Sequence, residues 1–155
     1  MTKNNKVKDN NIEIATFYVE DTLMGIDIQH IQEINRHLDT TTIPGASEFV
    51  HGVINLRGEV VTVLDLHNIL GLNTTEITKQ SRVVIVKTNE ELVGLWVDRI
   101  ADVVNVKSEE IEGAPANISG VDSHFFEGVF KMESELLVIL DIDKIMDVNS
   151  EAAIV

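Results

Sequence analysis

The chain has no cysteine, few aromatic residues and few basic residues, and each shortage excludes a class of protein. Without cysteine it has no disulfide framework, thiol catalyst or cysteine-ligated zinc site. One tryptophan, one tyrosine and five phenylalanines offer little surface on which nucleic-acid bases could stack. Against 26 acidic residues stand 12 lysines and arginines, and the formal net charge of −14 repels phosphate backbones and anionic lipid. The composition therefore disfavours a nucleic-acid-binding protein.

Long apolar runs are also missing. The longest strongly apolar run, Leu136 to Leu140, is far shorter than the ~20 residues of a membrane-spanning helix. Met1 to Asn10 carries no apolar segment of the kind found in secretory signals. We therefore expect a cytoplasmic protein. Hydrophobic residues still make up 44% of the 155 residues, enough for one folded unit with its own core.

The sequence contains short runs in which apolar and polar residues alternate, rich in β-branched residues and separated by glycine. Long stretches with the 3.6-residue periodicity of helices are missing. This pattern predicts an all-β fold. We predict strands at 12–20, 23–28, 39–43, 52–57, 59–64, 82–88, 91–97, 100–107, 125–132 and 134–140.

The chain also contains an internal repeat. Gly52 to Leu70 aligns without gaps with Gly128 to Met146, and six of the nineteen aligned positions are identical. Earlier in each half, Leu23 to Ile26 resembles Leu92 to Leu95. The repeat predicts two similar lobes of about five strands, each able to curl into a small barrel that hides its edges. We place a flexible N-terminus at 1–11, lobe one at 12–70, a linker at 71–80, lobe two at 81–148 and a C-terminal tail at 149–155.

Residues that both halves keep are interpreted first as structural. Asp65 and Asp141 each follow an aliphatic strand and precede a short helical pattern, which is typical of a helix N-cap. Gly71 then supplies the left-handed residue that ends the first of these helices. Gly52 and Gly58 are likewise interpreted as bulge or turn positions.

No catalytic, cofactor or metal site is predicted. Nucleophile-elbow, Walker and dinucleotide-binding motifs are absent. Asp65 and His67, two residues apart on a capped turn, have poor spacing for a base and its orienting group. The five histidines follow no recognised metal-ligand spacing, and surface or half-buried imidazoles are expected. They are His30, His37, His51, His67 and His124.

Positions at which the two halves differ are more informative about function. Arg57-Gly58 is replaced by Glu133-Ser134 in the second half, so the fold does not require an arginine at this hairpin tip. Arginine is enriched where interfaces concentrate their binding energy. Trp96 lies in a strand that is apolar on both faces, which indicates either complete burial or an exposed apolar strip beside Val83 and Val84.

One segment resembles a known family. Ile43 to Leu70, IPGASEFVHGVINLRGEVVTVLDLHNIL, resembles the CheW pattern of proline, a short spacer, G-V-x-N-L-R-G, an aliphatic strand and D-L. GIDIQHIQEI at Gly25 to Ile34 and VGLWVDRIADV at Val93 to Val103 extend the resemblance to about 12–147. It implies two interlocked five-stranded β-barrel lobes with short capping helices. Thr62 and His67 depart from the family, where proline and arginine are common.

The resemblance also implies partners. Proteins of this family are non-catalytic chemotaxis adaptors that bind the cytoplasmic hairpin tip of chemoreceptors and the regulatory domain of the histidine kinase CheA. They are recruited from the cytoplasm to membrane-associated receptor arrays. By motif, Arg57 is the candidate for receptor coupling. The other partner-binding candidates are Gly52, Asn55 and Gly58, which shape its hairpin, Glu33 and Ile34 as contacts, and Ile31, Val83 and Val84 as an apolar strip.

Two other classes of function remain open from the residues. Small β-barrels often bind a ligand or an oligonucleotide, although the negative charge and scarce aromatics weigh against the oligonucleotide. An unrecognised hydrolase is the third hypothesis, and no motif supports it.

Overall fold

The computed structural model describes residues 10–36, 39–73, 76–88, 91–115, 117–118 and 121–153. The strands are β1 (Asn11–Val19), β2 (Thr22–Asp27), β3 (Ile31–Asn35), β4 (Val50–Leu56), β5 (Glu59–Asp65), β6 (Arg82–Thr88), β7 (Glu91–Val97), β8 (Arg99–Lys107), β9 (Asn117–Ile118), β10 (Val121–Asp122), β11 (Phe126–Lys131) and β12 (Leu136–Leu140). The helices are α1 (Leu66–Leu70) and α2 (Ile142–Ala153), and three short 3₁₀ turns precede β3, β9 and β11.

Ten of the strands form two five-stranded sheets with the same internal plan. Sheet 1 has the order β11-β12-β2-β1-β8, and sheet 2 has the order β3-β6-β7-β5-β4. In each sheet the single parallel pair lies at the same place, between β12 and β2 or between β5 and β7. The predicted mostly-β architecture with two five-stranded units is therefore confirmed.

The two copies of the repeat exchange strands. β1 and β2 come from the first half of the chain but pair in sheet 1 with β8 and β12 of the second half. β6 and β7 belong to the second half but pair in sheet 2 with β3 and β5. The division into lobes at 12–70 and 81–148 consequently does not describe the sheets, because each sheet takes strands from both halves.

Three apolar cores follow from this arrangement. A central core combines residues of both sheets, including Phe17 and Leu95, while a separate core lies against the other face of each sheet. Strand β6 contributes residues to two of these cores, because Val84 packs in the central core and Val83 in the core of sheet 2. Each fully buried aliphatic side chain contributes ~1.5–3 kcal/mol to stability. A sequence run that is apolar on both faces, such as β6, thus indicates a strand that lies between two cores.

Closure of either sheet into a barrel is not confirmed. Among the described residues no ladder joins the edge strands of sheet 1 or those of sheet 2. In each copy of the repeat, a crossing segment of the chain instead forms a single bridge with an edge strand. Thr41 forms an isolated bridge with Val53, and Glu112 forms the corresponding bridge with Val129.

Glycine permits these crossings. A Cβ on Gly52 would lie 2.8 Å from the carbonyl oxygen of Thr41, and a Cβ on Gly128 would lie 2.5 Å from that of Glu112. Both distances are too short for a side chain, and the register of the neighbouring ladder shifts at both glycines. The interpretation of Gly52 as a bulge position is confirmed, with close backbone approach as the physical reason.

Some predicted elements differ from the structure. The strand predicted at 39–43 is wrong, since the described part of that segment contains only the bridge at Thr41. Strand β3 and the short strands β9 and β10 were not predicted. Helix α2 continues to Ala153, so residues of the predicted tail at 149–155 are helical. Most of the predicted flexible N-terminus, and His37, lie outside the described residues.

The capping predictions are confirmed. The Asp65 carboxylate accepts a hydrogen bond from the backbone N–H of His67 at the start of α1, and Gly71 ends that helix with φ 79°. Asp141 accepts from the backbone N–H of Lys144 at 3.3 Å. Neither α1 nor the described part of α2 has the length and apolar character needed to cross a membrane.

Candidate functional site

Arg57 lies at the tip of the β4–β5 hairpin in an unusual conformation. The two-residue turn, Arg57-Gly58, has φ values of 53° and 85°, the signature of the type I′ turn that suits the twist of paired strands. Asn55 stabilises it, because its side-chain oxygen accepts from the backbone N–H of Gly58 at 3.0 Å. Positive φ is natural for glycine but uncommon for arginine. The predicted roles of Asn55 and Gly58 in shaping the hairpin agree with this geometry.

The Arg57 guanidinium reaches across to Glu33 on β3. Its Nη1 forms an ion pair with Glu33 Oε2, and Nη2 lies 3.4 Å from Oε1. Strands β3 and β4 are the two edges of sheet 2, so this ion pair bridges the gap between opposite edges of a curled sheet. The Arg57 side chain remains 71% exposed, and that of Glu33 is 22% exposed.

Two exposed aliphatic residues lie close in sequence to the residues of this ion pair. Ile34, next to Glu33, is 43% exposed, and Val60, two residues after Gly58, is 69% exposed. Val60 was not among the predicted contacts, although the alternation of β5 carried the signal. Since Val61 and Val63 are buried, Val60 must face away from that core.

Ile31, Gly52, Val83 and Val84 have other surroundings. Ile31 is partly buried against the central core, and Gly52 is buried at the crossing of Thr41. Val83 and Val84 are each 0% exposed. The expectation that they line an exposed apolar strip is therefore wrong, because β6 is an interior strand of sheet 2 with a core on each face. Trp96, 2% exposed in the same sheet, is likewise a core residue.

A second polar cluster lies in the interior. The imidazole of His67 is fully buried, with Nδ1 2.9 Å from Asp65 Oδ1 and Nε2 3.1 and 3.0 Å from the two carboxylate oxygens of Asp98. The expectation of a surface or half-buried imidazole is wrong for His67, and the spacing that was interpreted as poor for a base and its orienting group does place its ring within hydrogen-bond distance of Asp65. Asp98 was not predicted, since it joins His67 only through the tertiary fold.

The electrostatics of this cluster have identifiable causes. Burial lowers the pKa of His67, but hydrogen bonds to Asp65 and Asp98, together with their charges, outweigh it and raise the pKa above its ordinary value of 6.5. Burial lowers the pKa of neighbouring His51; the charge of Asp65 opposes this shift and that of His67 adds to it. The rings of His51 and His67 contact Trp96 with centroid distances of 4.5 and 5.0 Å.

No group of three or more histidine or acidic residues in the described part of the chain is arranged to hold a metal ion. The candidate surface for a partner is the turn at Arg57 with Glu33, Ile34 and Val60. Its guanidinium, carboxylate and aliphatic side chains suit recognition of another protein.

Comparison with known proteins supplies a family. Residues 13–150 match the family model described as the CheW-like domain. The chain is 33% identical over 143 residues to the chemotaxis protein CheW of Bacillus subtilis strain 168, covering 92% of each protein. It is 31% identical over 143 residues to the chemotaxis protein CheW of Treponema pallidum strain Nichols, covering 90% of this chain and 84% of that protein.

A solved structure agrees. The crystal structure of the scaffolding protein TtCheW from Thermoanaerobacter tengcongensis superposes with a TM-score of 0.77 at 32% sequence identity, and 83% of each chain is covered. The fold and the sequence therefore point to the same family.

Proposed function

The chain belongs to the CheW family of chemotaxis coupling adaptors, and we propose that the turn at Arg57, with Glu33, is its contact with a chemoreceptor. The observation that carries this proposal is the left-handed conformation of an exposed arginine, with φ 53° and a side chain 71% exposed. Such strain persists where the surrounding structure imposes it, and it concentrates at functional positions.

The other copy of the repeat supports a functional reason for this strain. Glu133 and Ser134 occupy the corresponding turn, and neither has positive φ. A hairpin at this place in the fold therefore forms without a left-handed arginine. The type I′ turn explains the positive φ itself, and the choice of arginine for that position is better explained by what its side chain presents to a partner.

The ion pair with Glu33 positions the guanidinium and leaves some of its N–H donors available to a partner. An exposed pair of this kind contributes only ~0–1 kcal/mol to stability. Arginine carries five N–H donors in a planar fork, and the contacts with Glu33 involve Nη1 and Nη2. With most of the side chain exposed, donors remain for a partner's carboxylate or carbonyl groups, while Ile34 and Val60 add apolar area.

The adaptor role implies two partners on different surfaces: the cytoplasmic hairpin tip of a chemoreceptor and the regulatory domain of a CheA-type histidine kinase. In this scheme the chain catalyses no reaction and works in the cytoplasm at receptor arrays. This scheme is supported by the match to the CheW-like domain and by the similarity to a chemotaxis protein and to a scaffolding protein. The alternative of a ligand- or oligonucleotide-binding domain is not favoured by these matches.

The decisive experiment replaces Arg57 by glutamate and measures binding to a receptor signalling fragment and to the kinase separately. We expect receptor binding to weaken by ~2–5 kcal/mol, mostly through faster dissociation, because a desolvated hydrogen-bonded contact is lost. Binding to the kinase should change much less. Unchanged receptor binding would refute the assignment of Arg57, and equal weakening of both would mean that the two contacts overlap.

Two controls separate binding from folding. Lys131→Glu makes the same change in charge at the β11–β12 hairpin, where the similarly exposed Lys131 lies 3.9 Å from Glu112, and it should leave receptor binding intact. The double variant Arg57→Glu with Glu33→Arg restores an ion pair of opposite polarity. It should recover stability but not receptor affinity; recovery of both would show that the pair acts only on the fold.

A further inference from the structure

The buried histidine connects the two sheets at a place that the receptor contact does not use. His67 lies on α1, which directly follows β5 of sheet 2. Its partner Asp98 lies between β7 of sheet 2 and β8 of sheet 1. One Asp98 oxygen, Oδ2, also accepts from the backbone N–H of Glu20 at 2.6 Å, in the turn between β1 and β2. The Asp98 carboxylate is thus shared between an element of sheet 2 and a turn of sheet 1.

The backbone strengthens the same junction. The N–H of Asp98 donates to the carbonyl of Tyr18 at 3.0 Å, and Glu20 adopts a left-handed conformation with φ 57°. The β1–β2 turn is therefore held against the crossover between the sheets. His67 is the buried side chain that ties this crossover to the end of β5.

The geometry specifies the protonation state of His67. An ionised carboxylate only accepts hydrogen bonds, whereas neutral imidazole has one donating and one accepting nitrogen. Since Nδ1 faces Asp65 and Nε2 faces Asp98, both nitrogens can donate only in the imidazolium form. A neutral ring would leave a lone pair directed at a carboxylate inside the protein, where an unpaired polar group is costly.

We propose that Asp65, His67 and Asp98 form a pH-sensitive lock between the two sheets, closed while His67 carries both ring protons and released when it loses one. The sign follows from the raised pKa of the folded state. The lock contributes its full stability below the ordinary histidine value, and this contribution is lost as pH rises through the higher folded pKa. The other copy of the repeat has no such lock, because Asp143 stands where His67 does and is exposed.

The surrounding charges act in both directions. The charges of Asp65 and Asp98 raise the pKa of His67, whereas the charge of His67 lowers the pKa of His51 on β4, so the two imidazoles oppose each other's protonation. Asp98, whose side chain is 18% exposed, borders an open pocket through which protons can exchange with solvent. The pocket is lined by Glu20, Asp21, Glu76, Thr78, Gln80, Asp98 and Arg99.

The first test is the titration of His67 itself, in the full chain labelled with ¹⁵N. Long-range proton–nitrogen spectra should show both ring nitrogens protonated at neutral pH and one losing its proton at a pH above the ordinary histidine range. Asp98→Asn should shift that titration to lower pH. A neutral His67 at neutral pH would overturn the proposal, as would an imidazolium that persists until the protein unfolds.

The single tryptophan provides an optical readout of the same event. Imidazolium quenches neighbouring indole more strongly than neutral imidazole does, and the Trp96 ring contacts the rings of both His67 and His51. Emission should rise as His67 loses its proton, His51→Gln should retain that step, and His67→Gln should abolish it. A step that follows His51 instead would contradict the assignment.

Stability and local exchange test the coupling between the sheets. The urea midpoint should fall with rising pH in the wild type relative to His67→Arg, whose charge is permanent. If that variant does not fold, His67→Gln is the reference instead. Exchange of the Glu20 amide, corrected for its intrinsic pH dependence, should accelerate with His67 titration, while the Lys144 amide capped by Asp141 should not. A lock between the sheets would be refuted if the difference in urea midpoint between the wild type and the variant did not change with pH. It would also be refuted if the exchange rate of the Glu20 amide did not change as His67 titrates.

Discussion

The hairpin tips at Arg57 and at Glu133 occupy the same place in two copies of one repeat, but they are built differently. The first is a two-residue turn in which an arginine and a glycine both have positive φ. The second has neither glycine nor positive φ, and the backbone N–H of Met132 donates to the carbonyl of Glu135 at 2.9 Å. Equivalent sequence positions therefore need not have equivalent backbones.

The helix caps differ in the same way. Asp65 and Asp141 both accept hydrogen bonds from the first turn of a helix. Only Asp65 also pairs with a buried histidine, because Asp143 replaces His67 in the second copy. The two copies thus share the cap itself, and they differ in the buried pair that Asp65 adds to it.

The largest predicted difference separates the two caps. Asp141→Ala should lower the free energy of unfolding by ~1 kcal/mol, the usual value of a cap. Asp65→Ala should cost ~3–5 kcal/mol, since it leaves a buried imidazolium with one carboxylate fewer. Urea unfolding of both variants measures the difference. Equal losses would mean that Asp65 acts only as a cap.

The next prediction concerns a feature that both copies share. Gly52→Ala and Gly128→Ala should each destabilise the protein by ~1–3 kcal/mol, because the new Cβ forces apart two backbone segments. Gly113→Ala is the matched control, since a Cβ there meets nothing within 4 Å, and it should be nearly neutral. A large loss at one of the two glycines and none at the other would break the structural equivalence of the crossings.

The smallest predicted effect lies at the tip. In a Glu33→Gln background, where the ion pair is already weakened, Arg57→Gly should raise stability by up to ~1 kcal/mol, because glycine tolerates positive φ. In the wild-type background, loss of the ion pair should offset this gain. Thermal melts of the four variants of this cycle decide the matter. Destabilisation by glycine in both backgrounds would show that Arg57 is not strained.

The sequence predicted most strands but missed one that the repeat could have revealed. Ile31 and Ile34 align with Ile100 and Val103, which belong to a predicted strand, so β3 could have been assigned from its counterpart β8. Local pattern failed there because Gln32 and Asn35 make β3 polar. The segment at 39–43 misled for the opposite reason, since its β-branched residues support a single bridge and not a ladder.

The candidate site was predicted in part. Arg57, Asn55 and Gly58 were recognisable from a motif confined to one hairpin. The ion pair of Arg57 with Glu33 depends on how sheet 2 curls, and the contact of His67 with Asp98 joins residues 31 positions apart. Neither contact could be predicted from a short motif. Burial of Val83 and Val84 required knowing that a second core lies behind their strand.

The sequence by itself determined the all-β class, the repeat, the two helix caps and the family, because each depends on local periodicity or short motifs. Only the tertiary structure decided which strands share a sheet. The backbone groups of β1 and β2 could form a ladder with strands of the first half of the chain or with β12 of the second half. Local sequence does not distinguish these two pairings. The choice is made by the central core, which is complete only when both halves contribute strands to both sheets.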